Sequence, residues 1–138
     1  MRYMRAAPTL AYSRDARMLE SPQHQLEVFM DTVAVVLSVK PESVAAFEAG
    51  FRQHELPIWN DFHARGVMAS ASLTRMDISS VRRGDAVQYL IVVVFPNHDG
   101  HDLHDSDPRF QEWNRIADAY QVGEGMALGG ETMLSVGS

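Results

Sequence analysis

The first residue of this chain with surroundings suited to chemistry is a histidine on an apolar helix stripe. Between Pro41 and Gly66 the apolar residues Val44, Phe47, Phe51, Ile58 and Phe62 recur at helical spacing, and His54 falls in the same stripe. That spacing predicts an imidazole turned toward the body of the protein, with Glu55 beside it in solvent. A desolvated imidazole stays neutral and can accept a proton, so His54 is the expected catalytic base. The alternative is a packed histidine satisfied by a backbone carbonyl, such as the one that Pro57 leaves without its usual donor.

Hydroxyl groups come second. Tyr89 lies in the run VQYLIVVVF, and Ser70, Ser72 and Thr74 alternate with small or apolar residues in SASLT. All of them are placed to line a cavity between a sheet and a helix, where small residues leave room for a ligand. The alternative for the serines is a strand face turned toward solvent or a partner. The stretch NHDGHDLHDSDPRFQEW, residues 97 to 113, then holds three of the six histidines. Its histidines (His98, His101, His104) are spaced by three, as are its first aspartates (Asp99, Asp102, Asp105), which would stack two rows of ligands on a helix. Gly100 and the aspartate-rich composition favour a turn instead. The expectation is a mobile acidic rim or lid with solvated histidines and no bound metal, the alternative being a metal held with help from Asp61 and His63.

The elements that must position these groups follow from periodicity. TVAVVLSVK, from Thr32, is β-branched and reads as a strand, with Pro41 suited to the first position of the helix that follows. Pro57 predicts a kink or restart at residues 55–57. VMASASLTRMDI reads as a second strand, SVRRGDA as a hairpin connection, and VQYLIVVVF, residues 87 to 95, as a strand buried on both faces. Asp107 and Pro108 have the types for an N-cap and a first helical position. Phe110, Trp113, Ile116, Ala117 and Tyr120 mark the inner face of that helix, and Gly123 stops it. GEGMALGG reads as a flexible connection and ETMLSV as a short last strand. Strand, helix, strand, strand, helix, strand is the split βαβ repeat of the ferredoxin-like fold, an α+β class with one four-stranded antiparallel sheet. Two helices cover one face of such a sheet. An apolar third strand needs cover on the other, and a second copy of the chain is the economical source, which predicts a homodimer.

Composition narrows the function. The 138 residues make one domain by size, expected over 32–138 behind an N-terminal extension at 1–31 that is read as an accessory or partner-packing arm, with a weaker likeness to a transit peptide. A net charge of −6 and an uncharged third strand remove a nucleic-acid partner, RNA included, and a partner role for an anionic membrane. No stretch reaches the roughly 18 apolar residues of a membrane span. The absence of cysteine removes disulfides, thiolate catalysis and thiolate metal sites, and fits a cytoplasmic protein.

Over residues 32 to 136 the chain resembles the dimeric α+β barrel superfamily, in element order, in the buried third strand, in the proline-interrupted helix HELPIWNDFHARG and in the helix start DPRFQEW. The resemblance implies a pocket for a small molecule and an enzyme that works without a cofactor, by proton abstraction in an isomerisation, cyclisation or oxygenation of an apolar cyclic or aromatic substrate. Cofactor-free oxygenases of the superfamily use Asn, Trp and His side chains to hold such a substrate. By that likeness Trp59, Asn60 and His63 join Tyr89 and Ser72 as substrate-binding candidates. A non-catalytic barrel that binds a ligand or stabilises an assembly, or one that binds heme through a histidine, stays open as an alternative.

Overall fold

The computed structural model describes residues 30–137. Apart from Met30 and Asp31, the N-terminal extension expected at 1–31 lies outside the described residues. Strand β1 is Asp31–Val39. After a 3-10 turn at Pro41–Ser43 come helix α1, Val44–Gly50, a π-helical turn at Phe51–Glu55 and helix α2, Leu56–Ala64. Strands β2, Ser70–Arg75, and β3, Val87–Phe95, are followed by helices α3, Gly100–Ser106, and α4, Pro108–Asp118, and by strand β4, Met126–Glu131. The sheet has the order β2-β3-β1-β4 with antiparallel pairing throughout, which is the expected ferredoxin-like topology.

Strand alternation sorts the core. Val33, Val35, Leu37 and Val39 of β1 and Tyr89, Ile91, Val93 and Phe95 of β3 point to the helices and are buried, while Ala34, Val36, Leu90, Val92 and Val94 fall on the opposite face and are half-covered. That second face is apolar, and among the described elements it has no helix over it. Only at one end does the 76–86 connection fold across it, where Gln88 donates to the Ser38 hydroxyl at 3.0 Å and to the Val81 carbonyl at 2.9 Å.

Three segments differ from the sequence expectation. The helix does not break at Pro57. It widens one turn earlier, where the Leu56 N–H reaches five residues back to the Phe51 carbonyl, and the chain passes the proline as continuous helix. The last strand is Met126–Glu131, drawn from the glycine-rich stretch expected to be a connection, because Ala34 and Val36 of β1 supply partners for Leu128 and Met126. Met133, Leu134 and Val136 beyond it are exposed. The histidine-rich stretch forms α3 and is packed, as described below.

Candidate functional site

The π-turn decides which side chains of the first helical segment face inward. Its wider turn keeps residues four apart, rather than three, on one face, so Phe51, Glu55 and Trp59 align toward the interior and His54 is turned aside. This reverses the expected placement of His54 and Glu55. His54 stacks on the Trp113 ring of α4, with centroids 5.5 Å apart and planes at 12°, and it lines neither of the two hollows described next. Glu55 is 1% exposed, and its Oε2 lies 2.5 Å from His104 Nε2.

The larger hollow, about 300 Å³, is lined by Leu56, Trp59, Asn60 and His63 from α2 and by Met68 to Ala71 from the approach to β2. A volume of this size lies at the lower end of the range for small-molecule sites. Three of the residues singled out by type, Trp59, Asn60 and His63, therefore meet in one place. The His63 Nδ1 lies 3.1 Å from the Met68 carbonyl oxygen. A carbonyl can only accept, so Nδ1 is the donor, and in the neutral form of the ring the lone pair lies at Nε2.

The second hollow, about 220 Å³, is lined by Glu48, Phe51, Arg52, Leu73, Arg75 and Tyr89. Phe51 of this hollow packs edge-on against Trp59 of the other, with centroids 5.1 Å apart, so the two are neighbours along one cleft. Tyr89 is buried as a ring, and its hydroxyl donates to Glu48 Oε2 at 2.6 Å. Burial, with the Glu48 carboxylate in support, pushes the Tyr89 hydroxyl up to about 12, so it stays a neutral donor at ordinary pH. Arg75 donates to the same Glu48 oxygen through Nε at 3.1 Å and through a second guanidinium nitrogen. The Tyr89 and Arg75 bonds hold the Glu48 carboxyl below its usual range. Ser72 lies outside the cleft: Ala71 and Leu73 point to the helices, so Ser72 falls by strand parity on the exposed open face opposite Val92.

Sequence reasoning missed the buried pair Glu55–His104. The His104 ring lies against Phe110, with centroids 4.2 Å apart, and meets Phe62 edge-on, while its Nδ1 is 3.2 Å from Asp105 Oδ1. Burial alone would lower the His104 pKa, but Glu55 and Asp105 outweigh it and raise the value to about 9. His101 is also buried, and burial holds its pKa below the usual value. Both histidines correct the expectation of a mobile, solvated lid. The signal that could have found them is the i, i+3 spacing itself: on a helix it puts His101 and His104 on one inward face, and Gly100 allows the approach, since a Cβ there would lie 2.5 Å from the Phe95 ring. Among the described residues no group of three or more His, Asp or Glu side chains is arranged to hold a metal ion.

Comparison with known proteins bears on the fold. No family model and no curated protein sequence matches this chain. Solved structures do. A candidate antibiotic biosynthesis monooxygenase from Nitrosomonas europaea superimposes with a TM-score of 0.62 at 13% identity, over 80% of this chain and 97% of that one. SnoaB, a cofactor-independent oxygenase from Streptomyces nogalater, gives 0.57 at 17% identity over 79% and 98%. A dimeric ferredoxin-like protein of unknown function from Bacteroides fragilis gives 0.55 at 12% identity over 75% and 96%. The chain shares the ferredoxin-like fold of these proteins. At these identities the likeness is one of fold, and the chemistry of this chain rests on its own cleft.

Proposed function

We propose that this chain is a small-molecule enzyme that removes a proton from an apolar cyclic or aromatic substrate without a cofactor. The reaction is an isomerisation, cyclisation or oxygenation in the cytoplasm. The observation that carries the reading is the larger hollow, where an imidazole of fixed tautomer, an amide and an indole face an apolar wall. The base is assigned to His63 rather than His54. An acidic C–H of the substrate gives its proton to His63 Nε2, the electron pair of the broken bond moves through conjugation to the carbonyl oxygen, and the Asn60 amide N–H groups stabilise the enolate so formed. Trp59 and Leu56 supply the flat, apolar contact that orients the ring. SnoaB, with the same fold, is a cofactor-independent oxygenase, which supports oxygen as the second reactant for such an anion.

The subunit is proposed to work as a homodimer that closes the open sheet face against a second copy. An apolar surface of Ala34, Val36, Leu90, Val92, Val94 and Leu128 would otherwise meet water, and the Bacteroides fragilis protein of the same fold is dimeric.

The test uses an anthrone, whose flat aromatic body and acidic methylene, conjugated through the rings with the carbonyl across from it, match the assigned chemistry. Oxygen uptake and product mass should show turnover by the wild-type protein, and His63→Gln should lower the rate about 100-fold or more, the ordinary contribution of a positioned base. A His63→Gln protein as active as wild type would remove the assignment.

A further inference from the structure

The smaller hollow has a charge that the proton-abstraction step does not use. We infer that it is a subsite for a carboxylate carried by the substrate, with Arg52 and Arg75 as its cationic rim and Phe51 and Leu73 as the seat for the adjoining apolar body. The inference rests on the proposed reading of the cleft and extends it to the substrate class: an aromatic or alicyclic monocarboxylic acid.

Three observations carry it. First, the balance at the hollow is two guanidinium groups, Arg52 and Arg75, against one carboxylate, Glu48, on a chain whose net charge is −6. One cation in excess matches a monoanion better than a phosphate dianion. Second, Arg75 is held in place rather than free. Glu48 Oε2 takes its Nε and one terminal nitrogen and is itself fixed by Tyr89, so the remaining Arg75 N–H groups are oriented without cost to the ligand. Third, Arg52 is exposed at the mouth and has no carboxylate within 4 Å among the described residues, which leaves its fork available for a bidentate acid. The Phe51 and Trp59 rings join this hollow to the one that holds His63, so one flat molecule anchored by its acid at Arg52 extends toward the base.

The probes are 2-naphthoate and the neutral 2-acetylnaphthalene, which share a ring system and differ in charge, titrated against the full-length protein by quenching of tryptophan fluorescence. Wild type should bind naphthoate about tenfold more tightly than the ketone, a difference on the scale of one charge-assisted hydrogen-bond pair at an open site. Arg52→Gln, a change at an exposed residue, should reduce that preference to near unity without changing the affinity for the ketone. Salt at about 0.5 M should erode the preference likewise. Equal binding of the two probes, failure of both to bind, or a preference that survives in Arg52→Gln would overturn the subsite. The two proposals fail separately. An Arg52-dependent preference without anthrone turnover keeps the subsite and removes the base, whereas turnover without a preference for the acid does the reverse.

Discussion

Glu55 and His104 sit 49 positions apart and meet with both side chains 1% exposed, so each is the other's partner at a site closed to water. Removing one partner strands the other. Glu55→Ala or His104→Ala should each destabilise the protein by about 3–5 kcal/mol in urea unfolding, while Glu55→Leu with His104→Leu should recover most of that loss. The groups facing His104 are Glu55 from the π-turn, His101 and Asp105 from its own helix, and Asp107 at the start of α4. Because its folded pKa is raised to about 9, the pair's stabilisation is complete below the ordinary histidine range near 6.5 and is lost as pH rises through about 9. Thermal unfolding of wild type should therefore fall between pH 7 and about 10 by more than in the double leucine variant. None of this was legible from residue types. Glu55 reads as a solvent residue until the π-turn is known, and nothing local to His104 names a partner 49 positions away.

At the scale of elements, the strands were legible because β-branched and apolar runs declare themselves: β3 lies at 87–95 as its composition predicts. The start of α4 was legible for a local reason as well, since Asp107 Oδ1 accepts the Arg109 N–H at 2.8 Å ahead of Pro108. Asp107→Ala should cost about 1 kcal/mol through that lost cap. The helical segments were less legible where tertiary contact decides. Gly50 ends α1 against the face of Trp113, and a Cβ there would lie 2.6 Å from the indole ring. Gly50→Ala should therefore destabilise by about 1–3 kcal/mol despite the better helix propensity of alanine, measured as a lower urea midpoint with an unchanged slope. Trp113 cannot give way easily, because it is fully buried between Phe47 and Phe51 and stacks on His54.

For the whole molecule, assembly and chemistry are separable. A dimer closed through the open sheet face should bury more than about 1,500 Å², and Val92→Glu, placing a charge at the centre of that face, should yield a folded monomer by light scattering at micromolar concentration. The cleft lies on the other side of the sheet, between β2 and the first helical segment, so the monomeric variant should keep its probe affinity. In the proposed chemistry, His63 takes a proton from a substrate held beside Trp59 and Asn60. The most direct test is exchange of the acidic C–H of an anthrone in deuterated buffer without oxygen, followed by proton NMR. Wild type should accelerate loss of that signal at least about 100-fold over buffer, and His63→Gln should return the rate to the background. Exchange that is no faster than in buffer, or equally fast in His63→Gln, would contradict that role for His63.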